Sequence, residues 1–272
     1  MRLDLHLHSN ASDGECPPDE VVRRALDANL DVISLTDHDT VGGVNDAREA
    51  ATGSPIHVIP GLEVSSTWEG HDIHVLGYFV DVESPALRDY AEHARRRRIE
   101  RMREMLLLLE DIGIEVPFEE VLDAAGEEVE SLARPHLAEA LVEAGHVQNV
   151  PEAFMRYIGD DGPAFVPTRV QDPSRAVELI READGLASWA HPPRDQLDGL
   201  LPVLVEAGLE GLEIYRPNHL PRQVEDLKGR ARRYDLVVTG GSDWHGPDRG
   251  RNLGDFYVSS EEVEAFLDRG GI

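Results

Sequence analysis

Short apolar segments alternate with amphipathic segments along most of the chain, and this alternation limits the fold more than any other feature of the sequence. Residues 32–36, 185–190 and 212–215 are apolar runs of strand length, whereas 19–28 and 197–207 carry apolar side chains at helical spacing. Strands that alternate with helices are typical of parallel β-α units wound into a sheet or a barrel. A length of 272 residues fits one such barrel, alone or with an insertion.

The first strand-like segment carries two histidines on one face. Side chains of a strand alternate between its faces, so Leu3, Leu5 and Leu7 share one face while His6 and His8 share the other. The leucine face can pack against helices, and the opposite face presents two imidazoles to a common point. A His-x-His pair in this arrangement is a chelate for a divalent cation.

Similar side chains recur near the ends of later strands. The candidates, in chain order, are Asp13 in a turn-rich loop after the first strand, Asp37, His38, Glu63, His74 within its strand, His191, Asp243 and His245. In parallel β/α barrels the active site lies at the carboxyl ends of the strands. Each histidine taken singly also fits a buried structural residue, but six separate segments with this chemistry favour a polynuclear metal site.

The composition limits the compartment and the partners. The chain has 53 acidic against 26 basic residues, a net charge of −27, and Lys228 is its only lysine. Because nucleic-acid affinity comes largely from Lys and Arg on phosphates, this surface is expected to repel long nucleic acids in dilute buffer. Molar salt shortens the Debye length to about 3 Å, so we interpret the charge as halophilic adaptation. No apolar run approaches the roughly 18 residues of a membrane span, and Cys16 is the only cysteine, which predicts a cytoplasmic protein.

The pattern changes in the middle of the chain. Residues 85–113 form one long helical pattern that includes four consecutive arginines, and shorter helical patterns follow it. We predict a helical insertion at 101–167 between the two parts of a catalytic barrel, 1–100 and 168–272, with a strand at 164–166. The arginine run is interpreted as a solvated helix face that offsets nearby acids.

The chemistry-bearing motifs together resemble one family. In chain order they are His-x-His at 6–8, Thr-Asp-His-Asp at 36–39, Gly-x-Glu at 61–63, Ala-His-Pro at 190–192 and Gly-Ser-Asp-x-His at 241–245. Their order and spacing, apart from the insertion, are similar to those of the PHP family, named for polymerase and histidinol phosphatase. The resemblance implies an α/β fold, a distorted (β/α)7 TIM-like barrel with a helical insertion and a trinuclear metal centre.

The resemblance also implies a role for each motif residue. Three groups of ligands follow: His6, His8 and Asp243 for a first metal; His74 and His191 for a second, which Glu63 bridges to the first; and Asp13, His38 and His245 for a third. Mixed imidazole and carboxylate ligands suit three divalent ions of Mn, Zn or Fe. A metal-bound water is then the nucleophile of phosphoester hydrolysis. Asp37, next to His38, is predicted to orient a ligand or a water through a hydrogen bond.

The insertion carries a further resemblance. Ala-Arg-Pro-His-Leu-Ala at 133–138, followed by Gly-Asp-Asp-Gly-Pro at 159–163, is similar to the PHP branch that acts on nucleoside 3′,5′-bisphosphates and short 5′-phosphorylated oligoribonucleotides. Pro135 opens a helix whose N-terminus favours anions, with Arg134 and His136 beside it. We therefore predict that Arg134 and His136 bind the phosphate that is not cleaved. A surface ion pair of Arg134 and a helix-capping His136 are the alternative.

Three other functions compete with this one. An amidohydrolase also begins with His-x-His, and many members bridge their metals with a carbamylated lysine at a strand end. Lys228 lies in a predicted helix and does not fit that role, but a bridge made by glutamate keeps this alternative open. A histidinol-phosphate phosphatase, or another phosphatase of small monoesters, would share the centre and differ in its substrate pocket. A non-catalytic PHP module of the kind attached to polymerases is disfavoured by the complete ligand set. The sequence predicts no particular oligomeric state.

Overall fold

The sheet that organises the molecule has eight strands. The computed structural model describes residues 1–127 and 129–272. The strands are β1 (Arg2–Leu7), β2 (Val32–Leu35), β3 (His57–Trp68), β4 (His71–Tyr78), β5 (Leu186–Trp189), β6 (Gly211–Tyr215), β7 (Val237–Gly240) and β8 (Val258–Ser259). Their order in the sheet is β7-β6-β5-β4-β3-β2-β1-β8.

Parallel pairing dominates both halves of the sheet. β1, β2 and β3 pair in parallel, as do β5, β6 and β7, and the antiparallel β4 joins the two halves between β3 and β5. Beyond the end of β7, Trp244 forms a parallel bridge with Leu7, and the His8 amide donates a 2.9 Å hydrogen bond to the Trp244 carbonyl. The sheet therefore closes almost completely, which confirms the predicted distorted barrel. The two-residue β8 lies antiparallel to β1 and adds an eighth strand to the expected seven.

Helices separate most of the strands along the chain. They are α1 (Pro18–Asp27), α2 (Val44–Ala51), α3 (Pro85–Asp111), α4 (Phe118–Ala125), α5 (Arg134–Glu143), α6 (Val150–Ala153), α7 (Pro173–Glu182), α8 (Leu197–Ala207), α9 (Pro221–Tyr234) and α10 (Glu264–Gly270). A π-helical turn, Phe154–Ile158, follows α6, and a 3₁₀ turn, Pro247–Arg249, follows β7. The predicted strand at 164–166 is wrong, because these residues are irregular and the Val166 carbonyl accepts a 2.6 Å hydrogen bond from Arg101 Nε.

The first strand has the predicted two-faced character, and both of its faces are buried. Leu3 packs with Phe266 of α10, and Leu7 packs with Val21 of α1. His6 on the opposite face is also completely buried. Since a buried polar group without a partner costs free energy, the histidine face has to meet polar groups inside the barrel.

A separate hydrophobic core lies in the middle of the chain. It extends from Met102 to Val166 and includes Leu109 and Leu137. The long helix α3 connects it to the barrel, because Tyr90 in the first part of α3 belongs to the barrel core. The domain boundaries at 101 and 167 stay a prediction. Within the described part of the chain, none of the helices, α3 included, combines the length and apolarity needed to cross a bilayer.

Two arginines of α3, Arg98 and Arg101, are buried where this second core meets the barrel. Arg98 belongs to the run of four at 95–98, so the interpretation of that run as a solvated face is wrong in part. Arg98 is 3% exposed and forms a 2.6 Å ion pair with Asp39. Arg101, one helical turn further on, is 5% exposed and pairs with Asp72 at 2.9 Å. Arg96 of the same run is exposed. Helical periodicity directs residues three apart to the same side, and here that side faces the barrel.

Candidate metal centre

The structure brings all the predicted metal ligands together at the rim of the barrel. The ligand atoms within each of three groups lie within 4.8 Å of one another: His6, His8 and Asp243; His8, Asp13, His38 and His245; and His38, Glu63 and His74. His191 adjoins the third group, because its Nε2 lies 3.0 Å from Glu63 Oε1 and 3.3 Å from His74 Nδ1. His8 and His38 each belong to two groups, so the three groups form one continuous cluster.

Glu63 occupies the middle of this cluster. It lies inside β3, so the prediction that a strand ends there is wrong; the hairpin pairing of β3 with β4 extends the strand beyond it. Its Oε1 lies 3.1 Å from His74 Nδ1 and 3.0 Å from His191 Nε2. Its Oε2 lies 3.1–3.3 Å from ring nitrogens of three other histidines: His38, His6 and His8. The two oxygens therefore face different sets of imidazoles, as a bridging carboxylate requires.

An unusual backbone conformation directs Asp243 and His191 into the cluster. Asp243 has φ 56° and His191 has φ 30°, in the left-handed region that side chains other than glycine rarely adopt. The Asp243 amide donates a 2.9 Å hydrogen bond to the His6 carbonyl. Gly241 lies so close to β1 that a Cβ there would approach His6 Cβ to 2.4 Å. Conformations of this kind concentrate at functional sites, where the surrounding structure holds them.

Several imidazole nitrogens of the cluster fit metal ligation better than any other role. His6 Nε2, both ring nitrogens of His8 and His38 Nδ1 are buried and lack a hydrogen-bond partner among the described residues. Leaving a buried polar atom unpaired costs about 1–3 kcal/mol, so four such atoms at one point require an explanation. Imidazole nitrogens beside carboxylate oxygens are ligands that first-row divalent cations accept. The residues present therefore fit bound metal ions.

Burial and neighbouring charges set the protonation of the cluster. Burial alone would raise the pKa of Glu63, but the surrounding histidines outweigh it and hold that pKa well below its usual range. Asp13 is also buried, and the histidines around it, His245 first, likewise hold its pKa well below the usual range. Burial lowers the pKa of His38 to about 3, whereas Asp13 overcomes burial and raises the pKa of His245 to about 9. The carboxylates are thus ionised, which is the form that binds a cation.

Two residues that orient the candidate ligands were not predicted from the sequence. Glu213 in β6 is completely buried; its Oε1 lies 2.9 Å from His6 Nδ1, and its Oε2 accepts a 2.6 Å hydrogen bond from the His191 amide. An acceptor on Nδ1 keeps a proton there and leaves Nε2 of His6 free to face the cluster. Arg216 donates a 2.8 Å hydrogen bond to Asp243 Oδ2, which turns Oδ1 toward His6. The lone carboxylate within the apolar run 211–215 is the signal that could have identified Glu213.

Asp37 orders the loop that carries Asp13. Its Oδ1 accepts 2.7 Å hydrogen bonds from the Ser9 amide and the Ser12 hydroxyl, and its Oδ2 accepts one of 2.7 Å from the Ser9 hydroxyl. The predicted hydrogen bond of Asp37 to a neighbouring ligand is not among its described contacts. Asp37 therefore positions Asp13 through the loop and does not hold His38 directly.

Arg134 and His136 lie together at the start of α5. Arg134 donates a 2.7 Å hydrogen bond to Asp160 and packs against the rings of Phe154 and Phe165. His136 Nδ1 accepts a 3.0 Å hydrogen bond from the Ala133 amide, and burial lowers its pKa to about 4, so the ring is neutral. These contacts match the ion-pair and helix-capping alternative. The role of both residues in substrate binding stays a prediction.

A barrel that carries imidazoles and carboxylates at the carboxyl ends of its strands defines the class of the protein as a metal-dependent hydrolase. The model of the PHP domain matches residues 4–156. The chain is 35% identical to a 5′-3′ exoribonuclease of Haemophilus influenzae, over 93% of this chain and 94% of that protein. It is 33% identical to a 3′,5′-nucleoside bisphosphate phosphatase of Chromobacterium violaceum, over 93% and 90% of the two chains.

A solved structure has the same fold. A protein of Bifidobacterium adolescentis described as a metal-dependent phosphoesterase superimposes with a TM-score of 0.87 and 29% identity, over 98% of this chain and 96% of that one. The chain belongs to the PHP family, as the resemblance of its motifs predicted. It is accordingly a metal-dependent phosphoesterase.

Proposed function

We propose that the chain hydrolyses phosphate esters of small nucleotides, with nucleoside 3′,5′-bisphosphates as the first substrate class and short 5′-phosphorylated oligoribonucleotides as the second. The relatives with these two activities cover almost the whole chain, which supports both classes. The observation that carries the proposal is the position of Glu63, whose two oxygens face different sets of imidazoles within one buried cluster. Long nucleic acids are excluded from the proposal by the net charge of −27.

Three divalent ions, of Mn, Zn or Fe, are proposed for this centre, with the ligands grouped as the motifs imply. Such ions supply Lewis acidity, which activates water and neutralises charge on the phosphate oxygens. Two residues of the chain hold the proposed ligands in position. Glu213 holds His6 and His191 in place, and Arg216 holds Asp243. Arg216 is 24% exposed beside the cluster, so its guanidinium also limits repulsion between Asp243 and an incoming phosphate.

Arg134 and His136 are proposed to bind the phosphate that is not cleaved. Burial raises the pKa of Asp72 in β4, but its neighbours, Arg101 first, outweigh burial, and the charge of Arg134 adds a smaller lowering, so Arg134 lies on the β4 side of the cluster. The Asp160 side chain that it contacts is 67% exposed, so a phosphate can replace this partner at little cost. His136 is neutral, and because its Nδ1 accepts a hydrogen bond from the Ala133 amide, the proton of the ring is on Nε2, the nitrogen proposed to donate to a phosphate oxygen.

Phosphate release with matched substrates tests this function. An adenosine 3′,5′-bisphosphate, histidinol phosphate and a generic aryl phosphate are compared, with metal analysis of the same sample. The bisphosphate should be hydrolysed with the highest kcat/KM. Preferential hydrolysis of histidinol phosphate would favour the other phosphatase, and no hydrolysis of any ester would contradict the proposal.

The variant Arg134→Ala tests the second phosphate site. Charged hydrogen bonds contribute roughly 1.5–3 kcal/mol, so R134A should lower kcat/KM for the bisphosphate about 10- to 100-fold and leave aryl phosphate hydrolysis nearly unchanged. Arg156→Ala is the matched control, because Arg156 lies in the same part of the chain and pairs with Glu152 at the surface. Equal losses on both substrates would assign Arg134 to the metal centre or the fold. No loss on either would place the second phosphate elsewhere.

A further inference from the structure

A basic pocket lies beside the metal centre on the side of β5 and β6. It has a volume of about 290 Å³, and its apolar lining comes from Pro192, Leu197 and Leu227. Pro192 directly follows His191, and the lining also includes the beginnings of α8 and α9. The pocket therefore opens on the rim of the barrel that carries the proposed metal ligands. Its volume is at the lower end of the range for small-molecule sites, about 300 Å³, which suits one small unit of a larger ligand.

The charge of this pocket is opposite to that of the whole chain. Arg194 and Arg222 both line it, both are exposed, and neither has an ion-pair partner among the described residues. The carboxylate that lines the pocket, Asp226, is already paired with Arg230 at 3.2 Å. The chain has 53 acidic and 26 basic residues, so most arginines have a carboxylate available as a partner. Two guanidinium groups in one pocket without such a partner among the described residues can therefore bind an anion. Guanidinium groups bind phosphate oxygens through two parallel hydrogen bonds.

His219 completes the rim of the pocket in a fixed orientation. Its Nδ1 lies 2.8 Å from the Ile214 carbonyl, which can only accept, so Nδ1 carries the proton and the ring is held in place. Flat groups such as imidazole and guanidinium stack on the bases of single-stranded RNA. The pocket therefore combines two phosphate ligands with a surface for a base or a ribose.

The helical part of the chain leaves this side of the rim open. Glu130 contacts the loops after β1 and β2, through Ala11 and Thr40, and Glu139 pairs with Arg249 after β7 at 2.5 Å. Of the hydrogen bonds and ion pairs between described residues, none joins residues 101–167 to the loops after β5 and β6. An RNA chain that continues beyond the metal centre can therefore leave over the loops after β5 and β6.

We propose that this pocket is the subsite for the nucleotide that follows the scissile phosphodiester of an oligoribonucleotide, with Arg194 and Arg222 bound to the phosphate on the 3′ side of that nucleotide. The proposal rests on the proposed function, in which Arg134 binds the terminal phosphate on the β4 side. Hydrolysis adds one water across the first phosphodiester: the bond between phosphorus and the 3′-oxygen of the terminal nucleotide breaks, that oxygen takes a proton, and the phosphate stays on the 5′-oxygen of the remaining RNA, which occupies the pocket. A nucleoside bisphosphate ends at the metal centre and does not reach the pocket.

The double variant R194A/R222A tests the subsite with the metal-loaded enzyme. On a 5′-phosphorylated tetraribonucleotide, KM should rise and kcat/KM should fall by about tenfold for each arginine removed, as expected for a charged hydrogen bond. On adenosine 3′,5′-bisphosphate both constants should stay within about twofold. R194K/R222K keeps the charge and should recover part of the loss. Arg232→Ala, an exposed arginine at the far end of α9, is the matched control and should leave both substrates unaffected.

The outcomes separate the subsite from the function on which it rests. A selective loss on the tetranucleotide supports the subsite. Equal losses on both substrates, or no loss on either, overturn the subsite and leave the phosphoesterase function in place, as does a wild-type enzyme that hydrolyses only the bisphosphate. A wild-type enzyme that hydrolyses neither nucleotide overturns both proposals. An unchanged melting temperature of the double variant shows that a loss of activity does not come from a destabilised fold.

Discussion

Replacement of Arg98 by Met should destabilise the protein more than any change in the rest of its arginine run. Arg98 donates hydrogen bonds of 2.6 Å to Asp39 Oδ2, 2.9 Å to the Ser65 hydroxyl and 3.0 Å to the Leu132 carbonyl. Met has a similar length but no charge, so R98M leaves the Asp39 carboxylate buried without a cation. Breaking a buried ion pair in this way costs about 3–5 kcal/mol. That is a large part of the roughly 5–15 kcal/mol that stabilises a typical protein.

Urea unfolding followed by tryptophan fluorescence measures this loss. Arg96→Met is the matched control in the same helix, because Arg96 pairs with Glu92 where the side chains are 62% and 69% exposed. An exposed pair of this kind contributes at most about 1 kcal/mol. The double variant D39N/R98M removes both charges and should lose less than the sum of the two single variants.

The same variant should affect the metal centre. Asp39 directly follows His38, has φ 59°, and its amide donates a 2.9 Å hydrogen bond to the Glu63 carbonyl. Loss of the Arg98 contact should therefore reduce the metal bound per chain, which elemental analysis measures. If R98M costs no more free energy than R96M and keeps its metal, the buried pair is not the link between α3 and the centre that we infer.

Three further predictions concern the metal, salt and pH. Chelation should abolish hydrolysis and Mn or Zn should restore it; full activity of a verified metal-free sample would contradict the metal dependence. E63Q should lose more metal per chain than H74Q, because Glu63 is proposed to contact two ions. With a net charge of −27, the melting temperature should rise between about 0.1 M and 2 M KCl as self-repulsion is screened, and a flat or falling trend would remove the halophilic interpretation. Burial lowers the pKa of His136 from 6.5 to about 4, so its contribution is complete above pH 6.5 and is lost as the pH falls toward 4, because the unfolded chain binds the proton first. The free energy of unfolding of H136Q should therefore fall less than that of the wild type between pH 7 and 4.5, and parallel curves would be inconsistent with this pKa.

The helices and the ligand types follow from local sequence patterns. Residues 197–207 are helical as predicted, because apolar side chains at helical spacing act within a few turns. The His-x-His pair of β1 and the motif at 241–245 also predict that these side chains lie together, since strand ends of a barrel meet at one rim. The predicted strand at 164–166 is wrong, as short apolar runs near Gly162 and Pro167 carry no clear period.

What the sequence determined by itself is the class of the fold and the chemical nature of the metal centre. Only the tertiary structure decided which oxygen of Glu63 faces which histidine, and that Glu213 holds His6 from 207 positions away. It also decided that Arg98 is buried while Arg96 is exposed, although both belong to one run. The physical reason is that periodicity depends on neighbours within a few residues, whereas ligand orientation and charge burial depend on contacts between distant strands and helices.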